Sequence, residues 1–226
     1  MAQVLAFDVN ETLLDLKALD GRFEELFGTA ALRPLWFAQM LQLAFVGGLT
    51  GAYVDFTTAQ RAALRMLAAR QDVVLGDAEV DETVALMSSL PPHPEVPDAL
   101  ARLAESPLRL VALTNSVQDV AEQQLTNAGI RQYFDQVVSA DSVRHLKPSP
   151  EPYQAVAAAY GVPIGEVRLI AAHNWDITGA LEAGCQAAFI SRPGMVLSPH
   201  GPQPDLVADD LTALAELILE HDANGR

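Results

Sequence analysis

Val4-Leu5-Ala6-Phe7-Asp8-Val9-Asn10-Glu11-Thr12 runs four apolar residues into a carboxylate and then a polar turn. A short apolar run with polar flanks reads as a buried strand, which places Asp8 at its C-terminal end. In open α/β sheets that edge is where ligands bind. A carboxylate there can cap the turn that follows the strand. It can equally attack a substrate carbon or phosphorus and form an ester that water later cleaves. Both readings stand on this stretch alone, so the rest of the chain has to separate them.

Further apolar runs bounded by turn residues recur at 108–113, 136–139, 167–171 and 187–190. Helical patterns lie between them at 117–128, 151–160 and 178–183, and another at 211–220 closes the chain. Strand–helix alternation of this kind predicts an α/β fold, a parallel sheet covered by helices. Residues 15–92 interrupt it with helical patterns at 23–27, 35–45, 57–69 and 81–90 and no convincing strand. The cluster Pro91-Pro92-His93-Pro94 then marks the return to alternation. The expected organisation is a core of residues 1–14 and 93–226 with an all-helical cap, 15–92, inserted above Asp8 to exclude water.

At 226 residues, half of them apolar, the chain can bury a sizeable core. Fourteen basic against 29 acidic residues give a net charge of −15. So acidic a surface repels phosphate backbones, and nucleic acid is excluded as an expected partner. The single cysteine, Cys185, rules out an internal disulfide and suits a reducing cytoplasm. It reads as a small buried apolar residue, not a nucleophile. Polar residues and glycines break the apolar stretch 41–54 well short of a membrane span, and no secretory leader pattern is seen at the N-terminus. The expected product is a cytoplasmic protein that acts on a small molecule and touches no membrane.

Four sites converge on one sheet edge. Asp8 and Thr12 form the first. Thr114 and Asn115, at the end of the second strand, can donate to an anion or simply cap the next helix. Lys147, between His145-Leu146 and Pro148-Ser149-Pro150, sits in a loop that its prolines stiffen. Ala171-Ala172-His173-Asn174-Trp175-Asp176 ends the fourth run. There Asp176 can orient a water or pair with Lys147, Trp175 can supply an apolar wall, and His173 a neutral hydrogen-bonding group or base.

These segments, in this order, resemble the four motifs of the haloacid dehalogenase superfamily, and within it the type II L-2-haloacid dehalogenases. Trp36, Leu41 and Gly51-Ala52-Tyr53-Val54-Asp55-Phe56 are similar to the cap helices of that group. Lys147-Pro148 with Tyr153, Trp175-Asp176 with Thr178-Gly179-Ala180, and Ile190-Ser191-Arg192-Pro193-Gly194 are similar to its later segments. The resemblance implies a Rossmann-like core, Asp8 as nucleophile, Lys147 stabilising it, and Asp176 assisting water; His173 stands where that group carries an asparagine and is the expected catalytic replacement for it in orienting water. It implies substrate or ester contacts at Thr12 and Thr114, an anion pocket at Asn115, and Tyr153 supporting the polar network; Asn10, Phe37 and Trp175 are expected to line the substrate site beside them. No cofactor or metal is implied, and a homodimer is.

The chain also departs from the patterns it resembles. Asn10 stands where the phosphatases of the superfamily carry an acid, and an amide cannot protonate a leaving group. Ala171-Ala172 stand where they carry a magnesium-binding carboxylate. Phe37 replaces the arginine by which the dehalogenases hold carboxylate and halide. Arg33, one helical turn earlier, is a candidate substitute, although Pro34 places it at or before the helix cap. Glu11 replaces a glycine. A halide leaves as an anion and needs no proton, so the leading expectation is conversion of a short 2-haloacid to a 2-hydroxy acid. A magnesium-dependent phosphatase using Glu11 and a non-catalytic small-acid-binding protein are the alternatives.

Overall fold

The computed structural model describes residues 1–223. Six parallel strands form one sheet in the order β3-β2-β1-β4-β5-β6. They are β1 (Val4–Phe7), β2 (Arg109–Thr114), β3 (Gln136–Ser139), β4 (Val167–Ala171), β5 (Gln186–Ile190) and β6 (Leu206–Ala208). β1, fully buried, lies between β2 and β4, with Phe7 paired to Ala112 on one side and Ile170 on the other. The chain moves outward to β3 on one side of β1 and to β6 on the other. Such a reversal opens a crevice at the carboxyl ends of the central strands.

Helices α5 (Val96–Ala104), α6 (Gln118–Asn127), α7 (Pro150–Tyr160), α8 (Asn174–Glu182) and α9 (Leu211–Ile218) cover the sheet. Two apolar clusters fill its faces, one containing Leu5, Phe7 and Ile170, the other Val4, Ala6 and Leu169. Alternate residues of β1 therefore point to opposite cores, as the period of a strand requires.

Between β1 and β2 the first four helices follow in succession: α1 (Asp20–Phe27), α2 (Leu32–Thr50), α3 (Phe56–Arg70) and α4 (Asp77–Ala85). α2 buries Arg33, Trp36, Phe37, Met40, Leu41 and Ala44, a face at helical spacing, and Trp36 Nε1 donates to the Gln60 carbonyl of α3 at 3.0 Å. The outgoing and returning chains run side by side: Asp15 N donates to Pro91 O at 2.8 Å and His93 N to Leu13 O at 2.9 Å. A second tie joins Tyr53, after α2, to Asp141, after β3, and the Arg144 guanidinium stacks 3.9 Å from the Tyr53 ring. Among the described residues no helix is long and apolar enough to cross a membrane.

The structure departs from the sequence expectations in a few places. α2 begins at Leu32, so Arg33 lies inside its first turn and not at the cap. α8 begins at Asn174, four residues before the expected 178, and takes Trp175 and Asp176 into its first turn. β6 was not anticipated. It is a three-residue edge strand, too short to show a period of two.

Candidate active site

Asp8 follows β1 directly, its backbone held by a 3.0 Å bond from its N–H to Ile170 O. Its side chain is almost wholly buried, and both oxygens are engaged. Oδ1 accepts from Lys147 Nζ at 2.9 Å. Oδ2 accepts from Thr12 Oγ1 at 2.6 Å and faces His173 Nδ1 at 3.1 Å. Thr12 is itself fixed, because its hydroxyl accepts from Ala172 N at 3.0 Å.

Lys147 is completely buried, and its ammonium is saturated by Asp8, by Asp176 Oδ2 at 2.6 Å and by Leu113 O at 2.9 Å. Three acceptors match the three protons of an ammonium. Asn115 holds the loop that delivers it: its Oδ1 accepts from Lys147 N at 2.8 Å and its Nδ2 donates to Lys147 O at 3.2 Å. Asp176 Oδ1 accepts from Tyr153 Oη at 2.6 Å. Gly179 lets α8 approach this loop, since a Cβ there would lie 2.5 Å from Pro148 Cβ and 2.8 Å from Tyr153 Oη.

Burial alone would raise the carboxyl pKa of Asp8, but the Lys147 ammonium, His173 and the Thr12 hydroxyl outweigh it and hold the group well below its usual range. Burial and the neighbouring Asp8 charge push Asp176 up, against the pull of Lys147. Lys147 itself is raised, because two carboxylates more than offset its desolvation. One cation thus binds a carboxylate held firmly ionised to one that is easier to protonate.

His173, expected as a neutral hydrogen-bonding group or base, lies instead between two carboxylates. Its Nε2 is 2.9 Å from Glu11 Oε2, while Nδ1 faces Asp8. Burial pulls its pKa down, yet the hydrogen bonds to Asp8 and Glu11 carry it up to about 9. Phe37 from α2 and Trp175 from α8 stack on its ring, with centroids 5.8 and 5.2 Å away. Glu11 has a φ of 61°, a left-handed conformation unusual for a residue with a side chain. Its Oε1 lies 3.5 Å from Arg33 Nη1, and Arg33 Nε donates to Asp20 at 2.6 Å. Arg33 therefore grips Glu11 and does not reach Asp8.

The remaining expected residues are placed less directly. Thr114 accepts from Ser116 N at 3.1 Å, the turn-capping role. Asn10 is turned towards α6, its Oδ1 accepting from Gln124 at 3.0 Å. Sequence reasoning gave no part to Arg192, which donates twice to Thr12 O, at 2.8 and 3.2 Å, and clamps the turn that carries Thr12. Its position beside Pro193 and Gly194 was the available signal. Cys185 is buried, with its thiol pushed up to about 12 by burial and Asp176. Among the described residues no group of three or more His, Cys, Asp or Glu is arranged to hold a metal ion.

A parallel sheet with a buried carboxylate–ammonium cluster at its carboxyl edge defines an α/β protein whose charged site lies where such folds bind ligands. Residues 2–184 match the haloacid dehalogenase-like hydrolases, and the chain belongs to that family. It is 31% identical to the (S)-2-haloacid dehalogenase of Pseudomonas sp. (strain YL), over 95% of this chain and 93% of that one. It is 27% identical to haloacetate dehalogenase H-2 of Moraxella sp. (strain B), over 96% and 97%. The structure of L-2-haloacid dehalogenase from Xanthobacter autotrophicus superposes with a TM-score of 0.91 at 26% identity, covering 96% of this chain and 98% of that one. The same enzyme with chloropropionic acid covalently bound gives 0.90 at 25% identity, over 96% and 98%.

Proposed function

We propose that the protein is a 2-haloacid dehalogenase that converts a short 2-haloacid to the 2-hydroxy acid through an ester on Asp8. The observation that carries this reading is the Asp8–Lys147–Asp176 arrangement, a carboxylate kept ionised beside one that burial makes more basic. An Asp8 oxygen attacks the α-carbon from the side opposite the halogen. The C–O bond forms as the carbon–halogen bond breaks, and the halide leaves with the electron pair. Water then adds to Asp8 Cγ and gives one proton to Asp176, which returns it to the departing product oxygen. The regenerated Asp8 carboxyl ionises, and the net products are hydroxy acid, halide and one proton.

Residues 15–92 form the cap in this reading. The paired segments at Leu13–Asp15 and Pro91–His93, and the burial of Phe37 against His173, support its closure over the site. Phosphatase chemistry is disfavoured by the residues themselves. The Lys147 ammonium already neutralises Asp8 and Asp176, and Ala172 offers no further carboxylate for a magnesium shell. Position 10 offers an amide in place of an acid.

We further infer a cytoplasmic homodimer, supported by a lone cysteine that forms no disulfide and by exposed apolar residues on α2, among them Val46 and Leu49.

A single turnover in ¹⁸O-labelled water with 2-chloropropionate, followed by mass analysis of the Asp8 peptide, tests the chemistry. One labelled oxygen in Asp8 and unlabelled oxygen in the first-formed hydroxy acid are expected. Label appearing directly in the product, with none in Asp8, would sink the ester route.

A further inference from the structure

The position of His173 assigns it a task different from that of a base. Both ring nitrogens face carboxylate oxygens, Asp8 Oδ2 at 3.1 Å and Glu11 Oε2 at 2.9 Å. An ionised carboxylate only accepts, so each nitrogen has to donate, and a ring donating from both nitrogens is an imidazolium. A neutral ring would set one nitrogen lone pair against a carboxylate lone pair. The other Glu11 oxygen is paired with the Arg33 guanidinium at 3.5 Å.

Two aromatic rings also stack beside the imidazole, Phe37 at an interplanar angle of 19° and Trp175 at 26°. A cation beside an aromatic face is favoured. Neither ring nitrogen is left without a carboxylate partner. The remaining charged groups are Lys147 and Asp176 beyond Asp8, and Arg33 and Asp20 beyond Glu11.

We propose that His173 stays an imidazolium through the whole cycle and acts as an electrophile on the Asp8 carboxyl, with Glu11 as the positioning residue that keeps the proton on the ring while Asp8 is esterified. This rests on the dehalogenase reading above and deepens it. Oδ2, which already takes bonds from Thr12 and His173, remains the ester carbonyl, and Oδ1 becomes the ester oxygen. When water adds to Cγ, the carbonyl electron pair moves onto Oδ2. There the His173 Nδ1–H and the Thr12 hydroxyl hold the oxyanion. The pair returns as the Cγ–Oδ1 bond breaks, and the proton on Asp176 passes to the product oxygen. His173 ends the step with the proton it began with. The left-handed backbone of Glu11 is the strain that aims its carboxylate at Nε2.

Histidine ¹⁵N chemical shifts of the full-length protein at pH 7.5 test the charge directly. Both His173 nitrogens are expected at imidazolium shifts in the wild type. The same is expected in Asp8→Asn, whose neutral amide imitates the ester. In Asp8→Asn with Glu11→Gln the ring is expected to become neutral, and Glu11→Gly serves as the second variant if Glu11→Gln does not fold. A single neutral tautomer in the wild type at pH 7.5 overturns the proposal, whatever the substrate proves to be. In single-turnover ester hydrolysis the rate is expected to fall as pH rises through about 9, and Glu11→Gln to move that fall at least tenfold lower in hydroxide concentration. His173→Gln, which keeps an N–H donor, should retain more activity than His173→Leu. A hydrolysis rate that rises with pH through a limb abolished in His173→Gln identifies a base and overturns the proposal. Label absent from Asp8 in ¹⁸O-water counts against the dehalogenase reading alone, since the shifts are read without substrate.

Discussion

At the residue scale, the groups that end strands were legible and their partners were not. Asp8, Thr12, Lys147 and Asp176 could be picked out because each follows an apolar run or a stiffened loop, and the fold brings such ends together. The Glu11–His173 contact joins residues 162 positions apart and depends on the backbone twist at Glu11, for which the sequence offers no measure. Asn115 shows the converse: its type suits an anion pocket and a loop clamp alike, and geometry assigns it to the Lys147 backbone. The His173 interactions also set a stability profile. Its pKa is about 9 in the folded protein against an ordinary 6.5. A group raised on folding contributes fully below its unfolded pKa, and the contribution is lost as pH rises from about 6.5 through 9. For a shift of this size the loss is on the order of 3 kcal/mol. Urea unfolding should show wild-type stability falling across that window, with His173→Gln nearly flat by comparison. Parallel profiles for the two proteins would show that the ring carries no such charge.

At the element scale, strands β1 to β5 were read to within a residue or two, because buried parallel strands are short unbroken apolar runs. The start of α8 was missed for a physical reason. His173 at its cap and Trp175 and Asp176 in its first turn point into the charged cluster, so the apolar period begins only later. The contact between α8 and the Lys147 loop was equally hidden, since a glycine in a helix usually weakens it. Here Gly179 lets Pro148 pack against the helix backbone, and a methyl group would overlap Pro148 Cβ at 2.5 Å and Pro148 O at 2.8 Å. Gly179→Ala should therefore cost about 1–3 kcal/mol in stability through overpacking. It should also displace the residue next to Lys147 and lower kcat by about tenfold or more, since small misplacements of a catalytic group are expensive. Chemical denaturation and steady-state assays on the folded variant measure the two effects. A folded variant with wild-type kcat would mean that the loop is free to move without harm.

At the scale of the whole molecule, the stretch without strands reads in the sequence as an insertion ending at the proline cluster, and the structure places helices α1 to α4 there, between β1 and β2. What fastens that stretch to the sheet could not be read. The Tyr53–Asp141 bond and the Arg144 guanidinium over the Tyr53 ring join the loop after α2 to the segment after β3. The outer surface of the same stretch bears on assembly. On α2, Leu49 is 89% exposed and Val46 49% exposed, one turn apart on the helix, and Met66 of α3 is 42% exposed. Single exposed apolar residues are common, but neighbours on one helix face lose a hydration cost when a second copy covers them. A twofold dimer would bury each such residue twice, because the same patch meets itself. Val46→Glu with Leu49→Glu would then place four like charges in the interface, and the dimer should weaken by roughly 100-fold or more. Sedimentation at about 10 μM should show a wild-type dimer and a variant monomer, with stability now tied to protein concentration only in the wild type. A wild-type monomer at that concentration, or a variant that still dimerises, would remove α2 from the interface.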